Sequence, residues 1–343
     1  MTAKSVLLDH GSGGVASRNL IEEIFLPRLD NPILSQFEDS AILQSGSTRL
    51  AFTTDSYVVD PIFFPGGDIG KLAIHGTIND LAMQGASPIG LSLALILEEG
   101  FALAELERLA DSIGEAAKQS GVPVVTGDTK VVPRGKADKI FITTSGVGIV
   151  PDKLILGSGL ARPGDIVLLS GTIGDHGVTI MAARAGLSIQ STIRSDTAPL
   201  HRLVAALLRE APGSIRCLRD PTRGGVATVL SEIAVKSGVR IDINEKNLPI
   251  RPGVETACEM LGLDPLYLAN EGKCIAIVDP AHGAALLAAM RATKEGRDAV
   301  VLGSVAETDT APHSSGGRVI MKTVIGGTRI VGPLSGEPLP RIC

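Results

Sequence analysis

The chain alternates two kinds of segment, and that alternation constrains its fold more than any single motif. Short runs rich in β-branched and aliphatic residues, bounded by Gly, Pro and Asp, recur at 50–59 (LAFTTDSYVV), 89–97, 122–128 and 139–150. Stretches with apolar residues at helical spacing lie around and between them, at 15–29, 68–85 and 101–121, the last stopping on Gly121. Strands interleaved with helices imply an α/β (mixed α+β) class. The pattern then pauses at PDKLILGSGLARPGD (151–165) and restarts with DIVLLSG, helices near 175–186 and 198–210, RGGVATVLSEIAVKSG, and strands at VRIDI, KCIAIV, AVVLGSV and RVIMKTV. With 343 residues, more than one hydrophobic core is expected. The expected units are a nucleotide-binding and dimerising domain over 1–150, an α/β domain over 151–325, and a loosely held tail over 326–343 with four Gly and three Pro.

Composition excludes several partners. Net charge is -5, with no basic block, no Trp, two Tyr and seven Phe; nucleic-acid binding needs cationic footprints or stacking aromatics. The run LSLALIL (91–97) is too short to span a bilayer, and the first residues lack the apolar core of a secretory signal. Cys217, Cys258, Cys274 and Cys343 show neither C-x-x-C nor zinc spacing, which fits a reducing cytoplasm. The first three read as packing residues. Cys343 is different, a thiol following the Pro-spaced EPLPRI, where an exposed cysteine invites oxidation.

Polar residues inside apolar segments mark the candidate chemistry. DHGSGG (9–14) joins a short apolar run to a helix, so its N–H groups form a potential anion cradle. GSGGVA matches G-x-G-x-x-A, but the acid about twenty residues on, Asp30, follows a helix rather than a strand. PGGDIGKLA (65–73) misses a Walker A loop at Pro65 and Leu72. Asp39, Asp55, Asp80 and Asp128 lie in or beside apolar elements. Buried carboxylates without a histidine cluster suit a hard cation such as Mg²⁺ shared with phosphate. Glycines precede apolar helices again at GDHGV and TRGGV, beside Asp175, Asp220 and Arg223. Glu271, in ANEGK ahead of a buried strand, is either a loop carboxylate paired with Lys273 or a general base.

DHGSGG, the run from DSYVVDP to MQGASP, ILEEGF, VTGDTKVVPRG, GDHGV, RDPTRGGVATVLSEIA, LDPLYLANEGK and the final PLPRIC together resemble the HypE family of hydrogenase maturation factors. The resemblance runs nearly end to end. It places the chain beside aminoimidazole ribonucleotide synthetase, selenophosphate synthetase and thiamine-monophosphate kinase. It implies two α/β domains, with a homodimer formed through the N-terminal sheet as a shared barrel. It also implies that a carbamoyltransferase (HypF) loads Cys343. By the same resemblance, the chain would then use ATP to dehydrate the thiocarboxamide to a thiocyanate, and the cyano group would pass to iron on a scaffold of HypC and HypD.

Carried over by motif, Asp55, Asp80 and Asp128 hold Mg²⁺ and ATP, with Asp39 arriving from the partner subunit. Gly11, Ser12, Gly13 and Gly14 close over the phosphates. Lys71, Asn79, Thr129, Asp175 and Arg223 line the nucleotide site. Glu271 is the base, and Lys130 or nearby Lys136 a cation acting on the carbonyl or the tail. A swinging stretch of 18 residues would reach about 60 Å. The rival readings are a superfamily kinase or synthetase acting on a free substrate, and a nucleotide-binding assembly factor without catalysis.

Overall fold

The structure is a computed structural model and describes residues 5–186, 193–308, 316–336 and 340–343. The chain enters as α1 (Val15–Leu20), passes through a π-helical turn (Ile21–Phe25) and continues as α2 (Leu26–Leu29). The first sheet is then built from β1 (Ala41–Ser45), β2 (Thr48–Tyr57), β5 (Ser87–Glu98), β6 (Val124–Val132) and β7 (Ile140–Val150). Between β2 and β5 come the hairpin β3 (Phe63–Phe64) and β4 (Gly67–Asp68), then helix α3 (Ile69–Met83); α4 (Leu103–Ser120) joins β5 to β6. The sheet order is β1-β2-β7-β5-β6, antiparallel except for β5 and β6.

Helix α3 is the central element. Asp68 caps it, accepting the Lys71 N–H at 2.9 Å. Nearly all of its side chains are buried, as expected for a helix enclosed on several sides. It lies on the inner face of the first sheet and also meets elements of the second half. Gly146 on β7 permits the close approach, since a Cβ there would stand 2.8 Å from Leu81 and Thr77. Helix α4 ends as expected on Gly121, in the left-handed region at φ 76°.

The second sheet comprises β8 (Ile166–Leu169), β9 (Ile215–Arg219), β10 (Arg240–Asn244), β11 (Ile275–Val278), β12 (Val300–Ala306), β13 (Arg318–Lys322) and β14 (Thr328–Val331), in the order β14-β13-β10-β12-β8-β11-β9. Helices α5 (Asp175–Arg184), α6 (His201–Glu210), α7 (Gly225–Ser237), α8 (Pro252–Leu261) and α9 (Gly283–Arg291) cover it. Strand β11 is buried along its whole length. One apolar cluster runs across both halves, from Tyr57, Ile74 and Ile142 to Val178, Leu268 and Ile342.

The tail departs from expectation. Residues 328–331 pair antiparallel with β13, Leu334 is buried, and the chain ends packed into the cluster, with Ile342 5% and Cys343 8% exposed. Gly and Pro weakened the local pattern, and tertiary contacts supplied the order that propensity did not.

Candidate active site between the two sheets

Four aspartates converge where β2, α3 and β9 meet. Asp55 points to the inner face of the first sheet, paired across it with Thr144, whose hydroxyl bonds Thr77 of α3. Tyr57 donates its hydroxyl to Asp55 at 3.0 Å. Asp80, in the last turn of α3, has the Thr53 hydroxyl 2.7 Å from its carboxylate. Asp39 lies 2.7 Å from Arg219, which also pairs with Glu232. Asp220 follows β9. Burial raises the pKa of all four, and Asp55, Asp220 and Asp39 push Asp80 up further. Asp220 is raised to about 6, burial outweighing the opposing pull of Arg219. Asp39 Oδ2 is buried without a hydrogen-bond partner.

The chain's last residue sits beside this cluster. Val58 N–H donates to Cys343 O at 3.0 Å, and His176 Nε2 is 2.8 Å from the Ile342 carbonyl. Arg223, just before α7, donates Nε–H to Cys343 Sγ at 2.8 Å and Nη1–H to Gly11 O at 2.8 Å. Burial pushes the thiol up to about 12, against the lowering effect of Arg223. A cavity of about 130 Å³ adjoins the sulfur, lined by Leu8, Gly11, Val58, Arg223 and residues 340–343.

Glu271 completes the group. It is 3% exposed, its Oε1 has no hydrogen-bond partner, and its N–H donates to Asp196 at 3.0 Å. Burial, then the charges of Asp196, Asp220 and Asp55, drive its pKa well above the usual carboxylate range, and Arg223 opposes them. Lys273 pairs with Asp196 at 3.3 Å rather than with Glu271, so the expected loop pair does not form.

Other expected site residues lie elsewhere or are already engaged. Asp39 lies in its own chain's cluster, 2.7 Å from Arg219. Asp128, Thr129 and Lys130 continue β6 rather than following it. Register runs Asp55–Thr144–Leu93–Gly127, so Asp128 is three strands away and on the opposite face. Its exposed carboxylate bonds Lys130 at 2.7 Å, which holds its pKa below the usual value. Asn79 spends its amide on the interdomain joint, bonding Ala198 O, Glu271 O and Leu200 N–H. Lys71 reaches the Gly66 carbonyl at 3.2 Å. Asp175 accepts from Thr172 and lies 3.6 Å from Arg251. In the glycine loop, Gly13 N–H goes to Ser17, Gly14 N–H to Ser12 and Val15 N–H to Leu334 O, so its donors are internally bonded here. Gly13 nonetheless lies against Arg223, where a Cβ would meet that of Arg223 at 2.6 Å.

Asp196 and Tyr57 were not singled out from sequence, and Asp220 had no assigned role. Asp220 was open to the reasoning used for Asp128, a carboxylate at a strand end; Asp196 and Tyr57 carried no comparable signal. Among the described residues no group of three or more His, Cys, Asp or Glu is close enough to hold a metal as it stands. A larger cavity, about 660 Å³ around Leu154, Ile155, Leu208 and Pro212, shares no residue with the acidic cluster.

In sequence, the two α/β halves that enclose this carboxylate-lined junction match the AIR synthase related proteins. The N-terminal domain of that family matches residues 37–150 and the C-terminal domain residues 162–312. Within that class the chain is 54% identical to the carbamoyl dehydratase HypE of Azotobacter vinelandii, over 99% of this chain and 97% of the relative. It is 44% identical to that of Escherichia coli, over 99% of each. A crystal structure of HypE in complex with ATP is 50% identical, covers 99% of this chain and 100% of its own, and superposes with a TM-score of 0.83. HypE in a HypE–HypF complex is 46% identical, covers 92% and 99%, and superposes with a TM-score of 0.85. The chain belongs to the HypE family, the carbamoyl dehydratases of hydrogenase maturation.

Proposed function

We propose that this protein is an ATP-dependent dehydratase acting on a carbamoyl group carried by its own Cys343. The observation that carries the reading is the Cys343 thiol held on Arg223 beside Glu271, within electrostatic reach of Asp55. The adjoining cavity of about 130 Å³ leaves room for a carbamoyl group on the sulfur.

An amide oxygen leaves only as phosphate. The amide oxygen takes the γ-phosphoryl group of ATP, the C–O bond then breaks to release phosphate, and the nitrogen loses both protons as C≡N forms. Ionised Glu271 accepts one of these protons, more avidly than an ordinary carboxylate because its pKa is raised, and the other leaves on the departing phosphate. Arg223 holds the sulfur and neutralises charge next to it. No three of these carboxylates stand close enough to hold a metal as they are, but their chemistry suits Mg²⁺: Asp55, Asp80 and Asp220 repel one another, and Asp39 Oδ2 is unpartnered. A bound Mg²⁺ would be held there and would offset charge on the phosphates.

The docked thiol, raised to about 12, is a poor nucleophile at neutral pH. Loading therefore happens with the tail undocked, on a HypF-type carbamoyltransferase, and the cyano group leaves the same way, to iron on a scaffold of the HypC and HypD kind. No described helix is long and apolar enough to cross a membrane; we assign the reaction to the cytoplasm. A homodimer is supported by the uncovered outer face of the first sheet, where Phe52, Ile96 and Ile149 are 41%, 41% and 45% exposed. Asp128 and Lys130 share that face, so any part they take in the site is through a second copy.

Intact-protein mass spectrometry tests the reading. With carbamoyl phosphate, ATP and the loading enzyme, wild type gains one carbamoyl group and then loses one water. Glu271→Gln stops at the carbamoylated tail, and Cys343→Ser shows neither change. Dehydration by Glu271→Gln at the wild-type rate removes Glu271 as the base and makes His176 the next candidate. Retention of carbamoylation in Cys343→Ser refutes the carrier assignment.

A further inference from the structure

The end of the tail is held by more than its thiol. Val58 N–H donates to Cys343 O and Asp60 N–H to Arg341 O, at 3.0 and 3.3 Å. That two-residue spacing on both sides is the spacing of an antiparallel ladder. Arg184, at the end of α5, donates to Pro340 O at 2.8 Å, Arg341 O at 3.0 Å and Asp60 O at 2.7 Å. One guanidinium thereby straps the tail to the segment just after β2 that it pairs with. Arg341 adopts φ 54°, and its side chain folds back to donate to Val58 O at 2.8 Å and to Asp138 in the turn between β6 and β7. Ile342 fills the apolar cluster below.

The geometry points to Arg184 and the Arg341–Asp138 pair as a latch that sets how much of the time Cys343 is docked. They are positioning residues for the dehydration, acting only through the tail. The inference rests on the carrier reading of Cys343. Arg341 and Asp138 are 30% and 48% exposed, and ion pairs at such sites are weak. Weakness suits the task, because a tail that must leave to be loaded cannot be held irreversibly. Neither Arg184 nor Asp138 bonds Arg223, Glu271 or the acidic cluster, so loosening the latch leaves the chemical groups in place.

The test is the alkylation rate of Cys343 by N-ethylmaleimide in the full-length protein, without ATP or carbamoyl phosphate, read by intact and peptide mass. The other cysteines, at 1%, 3% and 0% exposure, supply an internal reference for loosening of the fold. Asp138→Ala and Arg341→Ala are expected to raise the Cys343 rate about fivefold, and Arg184→Gln by about tenfold or more, the reference thiols staying slow. Supplied with the loading enzyme, Asp138→Ala should gain its carbamoyl group at least as fast as wild type and lose water more slowly. Wild-type alkylation rates in both Asp138→Ala and Arg341→Ala would overturn the latch, as would equal acceleration at all four cysteines. Because alkylation needs no turnover, the latch is tested even in a protein that never dehydrates its tail.

Discussion

Asp80 shows how one carboxylate serves the site at the fold's expense. It is buried in α3, bonded by Thr53, and forced upward in pKa first by burial and then by Asp55, Asp220 and Asp39. Asp80→Asn keeps the shape and the Thr53 bond but removes one charge from the group. Two effects of opposite sign are expected. Without metal the variant should melt a few degrees higher, since buried like charges are relieved. With Mg²⁺ it should lose ATP turnover by about a hundredfold. Calorimetry and phosphate release measure the two. A variant that melts lower and still turns over would place Asp80 in the frame of the fold rather than in the site. At this scale the sequence was partly legible. Asp55 and Asp80 were visible as carboxylates in apolar elements, and the structure brings both into the cluster. Asp128 carried the same signal and lies on an exposed face, because one-dimensional pattern does not distinguish the faces of an edge strand. Asp39 was visible too, but its pairing with Arg219, far off in sequence, was not.

Among the elements, the first sheet has a filled face and an open one. Helix α3 covers Leu91, Ile142 and Thr144, while Phe52, Thr54, Ser145, Ile96 and Lys130 share the other side. Strands 50–59, 89–97 and 139–150 and the flanking helices were legible because alternation and glycine stops are strong local signals. Strands β1, β9 and β14 were not, because Gln, Arg or Thr breaks their short apolar runs, whereas β8 and β11, no longer, are apolar throughout. An exposed sheet face of this size with aromatic and aliphatic centres is a natural site for a second copy. Phe52→Glu should therefore leave the fold intact, since the ring is already 41% exposed, while shifting the protein toward half its mass in light scattering. An unchanged mass with an unchanged circular dichroism spectrum would move the dimer contact to another face.

Over the whole molecule, two α/β halves were legible from the repeated alternation of strands and helices, but the joint between them was not. Asn79 on α3 bonds Ala198, Leu200 and Glu271 across it, and the tail returns from the far end to fill it. Such contacts follow from the assembled core and leave no local trace in Gly- and Pro-rich sequence. The joint also gathers Asp55, Asp80, Asp220 and Glu271, all with raised pKa. A carboxyl whose folded pKa exceeds its unfolded value of about 4 favours the folded state most when neutral. The stability it contributes is complete below pH 4 and is lost as pH rises through the folded value, about 6 for Asp220. Across pH 5 to 8 this group alone should lower the melting temperature of the metal-free protein, against the rise that ion-paired carboxylates give elsewhere. Mg²⁺ with ATP should reverse the loss, and more at pH 8 than at pH 5, because protons compete with the cation for the same oxygens. Melting curves at both pH values, with and without Mg²⁺ and ATP, measure the difference, and Asp80→Asn should shrink it. Equal stabilisation at the two pH values would mean that the cation does not bind at these carboxylates, however closely the fold has brought them together.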